Sequence, residues 1–448
     1  MKTNIVTFLK SSAFTLACLS TSIVSAQTVS TGIINRETGI SNLRPYDQSG
    51  INVFDSPKDT STVFDGLKVK FGAGFTQSFQ GLKHENTVGG LYRMSPGFNT
   101  ANANLYMDVQ LADGIRLNLT SYLSSRHHNE TWVKGGYIQF DKLPFKGQVW
   151  ENIMKVTTIK VGHMEINYGD QHFRRSDGGH TLYNPFAENY ILDGFTTEIG
   201  GEVLVQKNGL FGMLGVSNGM IKGNIDSLVP TLQDDNIHKS PAVYFKGGID
   251  KQVTDAIRVR LAASYYTNKS SGGQTLYSGD RTGSNYFGAM EKAGSTGFTT
   301  GRVNPGFSKK VDAFQLNGFV KLQGLELFGT YEAAQGRTKT ETSDRKATQY
   351  AIDAVYRFGK AENLFAGFRY NAVQLRLANV AAAGTSPAIN YTEDTKVDRM
   401  AFGAGWFVTK NVMLKGEYVK QQFKDLPSND FRDGGQFNGF VVQAVVGF

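Results

Sequence analysis

From residue 67 onward, apolar and polar residues alternate one for one. Leu67, Val69, Phe71, Ala73 and Phe75 interleave with Lys68, Lys70, Gly72, Gly74 and Thr76. Ile257, Val259, Leu261, Ala263 and Tyr265 interleave with Arg258, Arg260, Ala262, Ser264 and Tyr266. A period of two marks a strand whose faces meet different surroundings, and the 3.6 spacing of an amphipathic helix is almost absent. The pattern predicts sixteen strands, at 67–79, 99–111, 115–126, 131–141, 156–166, 194–206, 210–221, 241–251, 256–268, 311–322, 325–336, 346–358, 363–376, 395–408, 411–423 and 436–448. Residues 274–290, around Tyr277 and Tyr286, leave room for one more hairpin. Residues 27–66 do not alternate. With Pro45, Pro57 and scattered charges, as in Leu43-Arg44-Pro45-Tyr46-Asp47, they read as an irregular periplasmic segment or as a partial plug folded into a pore.

The connections alternate in length. Short ones, such as Ala112-Asp113-Gly114, Lys207-Asn208-Gly209, Gln323-Gly324 and Thr409-Lys410, carry the residues of tight hairpins. Long ones fall between them, at 80–98, 167–193, 222–240, 269–310, 377–394 and 424–435. One short position is occupied by 142–155, an insertion expected to hold a helical turn at 150–154. The last strand ends on Phe448, and left unpaired it would be an exposed edge. Short turns on one side, long loops on the other and an even strand count describe an all-β, transmembrane, antiparallel up-and-down β-barrel of about 16 strands. Its turns would be periplasmic and its loops extracellular. A barrel of that size leaves an aqueous channel.

Composition agrees. The chain has 51 Gly, 31 Phe and 19 Tyr but only 10 Pro, and aromatic residues form girdles at the two lipid interfaces of such barrels. Lys2 and Lys10, an uncharged stretch at 13–24 and the small-residue site Val24-Ser25-Ala26 read as a cleaved signal peptide covering 1–26. The stretch is too short to span a bilayer. Cys18, the only cysteine, lies within it; Thr15-Leu16-Ala17-Cys18 is a weaker lipoprotein alternative. The formal charge of +8 suits a basic pore or surface that attracts small anions better than nucleic acid, for which no motif is present.

Parity sets the lumen-facing residues. The basic ones include Lys68, Lys70, Arg116, Arg126, Arg258, Arg260, Arg369 and Lys415; the acidic ones include Asp108, Glu202, Asp250, Glu332 and Glu417. Most would pair across neighbouring strands, and the remaining positive excess predicts a weak anion preference. The loop at 167–193 adds His172, Arg174 and Arg175. Two adjacent guanidinium groups suit carboxylate or phosphate. Folded inward, the loop would narrow the channel; folded outward, its arginines would pair with Asp170, Asp177 or lipid phosphates.

The run Ile159-Lys160-Val161-Gly162-His163-Met164-Glu165-Ile166-Asn167-Tyr168-Gly169, its polar loop and the strand from Phe195 to Glu202 resemble outer-membrane porins of the phosphate-selective type, as does the terminal Phe448. His163 stands where that family has Gln, and Asn167-Tyr168-Gly169 where it has Pro-Phe-Gly. The resemblance implies a trimeric sixteen-stranded barrel whose third loop bends inward and whose basic residues guide anions. The family's arginine ladder and lysine cluster have no residue-by-residue match here.

The expected function is therefore an outer-membrane porin for passive diffusion of small hydrophilic solutes, without enzymatic activity, cofactor or metal. No His-Glu-x-x-His motif is present, and His127 and His128, adjacent on a hairpin rim, would be expected to point to opposite faces. The rivals are a hydrophobic-solute transporter plugged by its N-terminal segment and a non-conducting surface adhesin. Expected partners are small solutes or anions, outer-membrane lipid and lipopolysaccharide, and the barrel-assembly machinery acting on Phe448, with a homotrimer as the assembly implied by the resemblance.

Overall fold

The computed structural model describes residues 40–55, 63–126, 130–222, 238–299, 301–384 and 386–448, together with Lys58 and Pro230. The signal peptide, Cys18, His127, His128 and most of the 222–240 loop lie outside the described residues.

The strands are β1 (Lys68–Glu85), β2 (Gly97–Phe98), β3 (Asn102–Ala112), β4 (Ile115–Leu123), β5 (Trp132–Phe140), β6 (Thr157–Glu165), β7 (Thr197–Lys207), β8 (Leu210–Ser217) and β9 (Ala242–Thr254). They continue as β10 (Ile257–Asn268), β11 (Lys310–Leu322), β12 (Leu325–Arg337), β13 (Arg345–Phe358), β14 (Leu364–Leu375), β15 (Thr395–Thr409), β16 (Val412–Lys424) and β17 (Gln436–Gly447). Each pairs antiparallel with its sequence neighbour. The ring closes because β1 pairs with β3 on one side (Lys68 opposite Gln110) and β17 on the other (Gly74 opposite Gly447, Glu85 opposite Gln436). The two-residue β2 adds a short pairing to β1 at Phe79 and Gln80, so sixteen strands form the barrel wall. At the seam Phe448 donates to the Ala73 carbonyl at 3.1 Å and Ala73 donates to the Phe448 carbonyl at 2.9 Å, so the final strand is no free edge.

The alternation is realised as predicted. Along β8 every other residue is buried, and Leu210, Leu214 and Val216 face outward. On β13 the outward set is Tyr350, Ile352, Tyr356 and Phe358, while Gln349, Asp353 and Arg357 point in. Around the ring this produces an apolar outer belt. No helix among the described residues is long and apolar enough to cross a membrane; the crossing is made by strands paired to neighbours on both sides around a closed wall. The turn at Asn208-Gly209 has positive φ at both positions, 53° and 77°, which a type I′ hairpin requires and which Asn and Gly tolerate.

Three elements differ from the sequence expectation. Strand β1 runs on to Glu85, beyond 79, because its outer half pairs with β17. Residues 274–290 form no strands; Tyr277 and Tyr286 are buried instead. The insertion between β5 and β6 carries a full helix, α1 (Gln148–Met154).

The interior also departs from the open bore that the strand count implies. Residues 166–196, which are largely buried, and 40–55 and much of 270–290, which are half-buried to buried, lie within the ring. They pack with inward-facing wall residues into apolar clusters such as Leu182, Phe186, Val355, Phe365 and Phe407, or Phe54, Tyr190, Phe319 and Phe328.

A charge on the outer belt tests this orientation. Leu316 faces outward near the middle of β11. Leu316→Arg should cost about 2–4 kcal/mol of stability by denaturant unfolding in vesicles, whereas Leu316→Phe should be close to neutral.

Candidate functional site

The lumen is polar because the inward parity of the strands is polar, and those side chains reach the backbone of the inserted loop. The amide of Gly169 donates to Ser264 Oγ at 3.1 Å, Asp170 to Asn317 Oδ1 at 2.8 Å, Leu192 to Gln349 Oε1 at 2.9 Å and Ile191 to Asn371 Oδ1 at 2.7 Å. Lys415 Nζ donates to the carbonyls of Thr181, Asn184 and Phe186 at 2.8, 2.8 and 2.9 Å. Such bonds replace water on a loop backbone that would otherwise be buried unpaired. Glycine on the inner wall allows the close approach: a Cβ at Gly403 would stand 2.9 Å from the Pro185 oxygen, and one at Gly447 would stand 2.4 Å from the Tyr46 oxygen.

The N-terminal segment enters at the short-turn end. Gln48 donates its amide to the Lys410 carbonyl at 2.8 Å. The Tyr46 ring stacks on Tyr106 at 4.1 Å, and its hydroxyl donates to Asp108 at 2.9 Å. Phe54 lies edge-on to Phe319 and Phe173, with centroids 5.3 and 5.7 Å away. Arg260 joins the two inserted pieces, pairing with Asp55 at 2.8 Å and Asp170 at 2.7 Å, and Lys246 adds a second contact to Asp170 at 2.7 Å. Burial alone would raise both carboxyls; Lys246 and Arg260 more than reverse this and hold Asp55 and Asp170 below the usual range. Burial among Tyr46, Tyr106 and Tyr183 pushes the His180 imidazole down to about 4.

The expected pore residues separate into two groups. Arg369 pairs with Asp353 at 2.7 Å and donates to the Glu188 carbonyl at 2.8 Å. Arg258 pairs with Asp250 at 2.8 Å and donates to the Asn52 carbonyl at 2.9 Å. Arg174 donates to Asn52 and lies 3.5 Å from Glu326. With Arg260 and Lys415, these side chains fasten the inserted segments. Lys68 pairs with Asp65 at 2.6 Å near the start of the barrel, and Lys70 Nζ lies 5.8 Å from the Tyr46 ring. Arg126 stands past the outer end of β4.

Arg116, His172 and Arg175 line a cleft of about 260 Å³, bounded by β3 to β7 on one side and by the inserted segments on the other. It contains five cationic side chains, Arg44, Arg116, Lys134, Lys160 and Arg175, and four carboxylates, Asp55, Glu165, Asp177 and Glu202. Ion pairs and a histidine–carboxylate contact line it. Lys160 faces Glu202 at 3.3 Å; Lys134 pairs with Asp177; His172 pairs with Glu165. Arg175 binds Asp193 at 2.5 Å and Asp280 at 2.7 Å with its guanidinium over Phe195. Arg44 is held by neutral groups, donating to the Phe173 and Gly50 carbonyls at 2.8 and 2.9 Å over the Tyr183 ring. From Lys160 to Glu165 the lined stretch of wall covers about 16 Å at strand rise.

Sequence reasoning missed Arg44, Lys134 and Lys160 as site residues. Lys160 was legible by parity, between Ile159 and Val161. Lys134 sits by an irregularity in the β4–β5 pairing, and Arg44 lies in a segment without period. Against the expectation that the chain holds no Gly-x-Ser-x-Gly motif, one stands at 215–219; Ser217 closes strand β8 and donates to Glu198, unlike the strand-to-helix elbow of hydrolases.

No protein-family model and no curated protein matches this chain. Among solved structures, the anion-selective porin from Comamonas acidovorans is similar with a TM-score of 0.52 at 10% identity, over 85% of this chain and 100% of that one. The outer membrane channel DcaP of Acinetobacter baumannii has a TM-score of 0.49 at 12% identity, over 86% and 99%. OmpT of Vibrio cholerae has 0.48 at 11%, over 86% and 99%. At these identities the likeness is one of fold alone, that of a closed antiparallel β-barrel.

Arg260→Met would leave Asp55 and Asp170 buried with less compensation. It should destabilise the barrel by roughly 3–5 kcal/mol, read by denaturant unfolding, and speed protease cleavage within 40–55 and 166–196. The His180 pKa is lowered on folding, so its stabilisation is complete above the unfolded value near 6.5 and is lost as pH falls toward 4. Between pH 7.5 and 4 the intact protein should lose up to about 3 kcal/mol more than His180→Gln.

Proposed function

We propose that the protein is a porin-type channel of the outer membrane, and that small hydrophilic solutes diffuse through the cleft between the β3–β7 wall and the inserted segments. The observation that carries this reading is the cleft itself, a space that charged side chains of both signs line, in a ring whose outer surface is apolar. Charged groups of both signs keep a narrow path hydrated and let ions exchange water for side chains. Five cations against four carboxylates favour a weak anion preference. Phosphate selectivity gains no support, because Arg174, Arg175, Arg260 and Arg369 are already bound to the protein's own carboxylates and amides. Homotrimer formation remains part of the reading through the sequence resemblance alone. Catalysis is no part of it.

A second reading has its own observation. Residues 40–55 occupy the lumen and are fastened by Arg258 and Arg260, as a hatch would be. Planar-bilayer recording separates the two. For an open cleft, the intact protein gives steady ohmic steps, and deletion of residues 40–55 raises the unit conductance about twofold or more. For a hatch, the intact protein is silent and the deletion conducts. In a KCl gradient, the reversal potential of the intact channel should correspond to a chloride-to-potassium permeability ratio of about two; a ratio below one overturns the anion preference.

A further inference from the structure

We propose that helix α1 is a membrane-surface anchor that lays its apolar face into the headgroup and upper acyl region of the leaflet at the short-turn end, with anionic phospholipid as its partner. The proposal rests on the barrel's place in a bilayer. Most connections at this end are tight turns; this one projects a helix that the rest of the chain leaves uncovered.

Within α1, Val149 and Ile153 are four residues apart and Trp150 adjoins them, so they share one helical face, and Phe145, in the turn before the helix, packs onto Trp150. Phe145, Val149, Ile153 and Trp150 are 57%, 69%, 44% and 43% exposed in that order. Gln148, Glu151, Asn152 and Lys155 form the opposite face, where Gln148 and Lys155 both donate to Asn152 Oδ1, at 3.0 and 3.1 Å. The Phe145 and Trp150 rings pack together at 5.4 Å. Met154 is the one buried residue of the helix and fastens it to the barrel. The amphipathic face is thus formed, seated on the barrel at Met154, with Val149 and much of Phe145, Trp150 and Ile153 left open to the surroundings.

Two features identify lipid as the cover. The first is continuity. Strands β5 and β6, from which the helix hangs, turn Ile138 and Val161 outward into the apolar belt, so the helix begins where the bilayer ends. The second is chemistry. Trp and Phe beside lysines are the composition of elements that lie in a membrane interface. Lys142 and Lys146 precede the helix and Lys155 ends it on the polar side, against a single acid, Glu151, within the insertion. Lys142 is engaged with Asp113 at 2.6 Å, whereas Lys146 and Lys155 are exposed. Lysines at this height attract anionic headgroups.

The chain has 3 Trp, so Trp132→Phe with Trp406→Phe leaves Trp150 as the sole emitter. The full-length double variant is reconstituted in vesicles of phosphatidylcholine with or without phosphatidylglycerol, and folding is checked by heat-modifiable gel migration. Phospholipid brominated high on its acyl chain should remove about half of the emission or more, and aqueous iodide on both sides should remove little. Lys146→Gln with Lys155→Gln should abolish the added blue shift seen with phosphatidylglycerol. Should the double Trp variant fail to fold, Val149→Cys carrying a polarity-sensitive dye reads the same contrast. The proposal is overturned if iodide quenches freely while brominated lipid does not. It is equally overturned if shielding disappears on diluting protein in lipid, which identifies a second copy as the cover. Channels that still conduct in either case would leave the porin reading standing and remove only this anchor.

Discussion

A chain in hydrocarbon must satisfy its own backbone hydrogen bonds, because nothing in the surroundings will. This constraint governs the molecule. A sheet meets it only by closing on itself, and here closure depends on the pairing of β1 with β17, from Gly74 opposite Gly447 to Glu85 opposite Gln436. Once the ring is shut, one parity of each strand faces lipid and the other faces the lumen. Leu316, Ile352 and Phe402 then cost nothing outside, and Asn317, Asp353 and Arg399 need partners inside.

Those inner groups determine what the lumen contains. A carboxylate or guanidinium removed from bulk water is costly unless paired and hydrogen-bonded. Two sources of partners are present. Neighbouring strands provide some, as in Arg369 with Asp353. The inserted segments provide the rest, as in Arg260 with Asp55 and Asp170, or Glu332, which accepts from Tyr168 and Tyr277 at 3.1 and 2.7 Å. The polar wall therefore selects a polar filling. The same side chains that would hydrate an open bore become anchors once loops with free amides and carbonyls reach them.

The cleft is the volume left over by this filling. It lies along β3 to β7, opposite most of the loop anchors on β10 to β16. Its charges are paired partly with one another, as Lys160 with Glu202 and Lys134 with Asp177, and partly with groups behind the lining, as Arg175 with Asp193 and Asp55 with Arg260. In the proposed channel, such a lining would suit passage better than tight capture.

Sixteen strands, the short and long rhythm of their connections and the insertion before β6 could all be read from one chain. An alternation of two is a local property, written residue by residue, and a hairpin turn such as Asn208-Gly209 needs only its own dihedrals. Parity likewise placed Arg116, Arg260, Arg369 and Lys415 inside. What they bind could not be read. Arg260 meets Asp55 across 205 residues of chain and Asp170 across 90, and no period relates such positions. Arg44, Asp55 and Tyr46 sit in a segment without periodicity, and only the closed ring gives that segment a place. The sequence by itself determined the wall, because each strand's two faces are set by local alternation against lipid and water; the tertiary structure alone decided how much of the bore is filled, because that depends on which distant polar groups meet inside it.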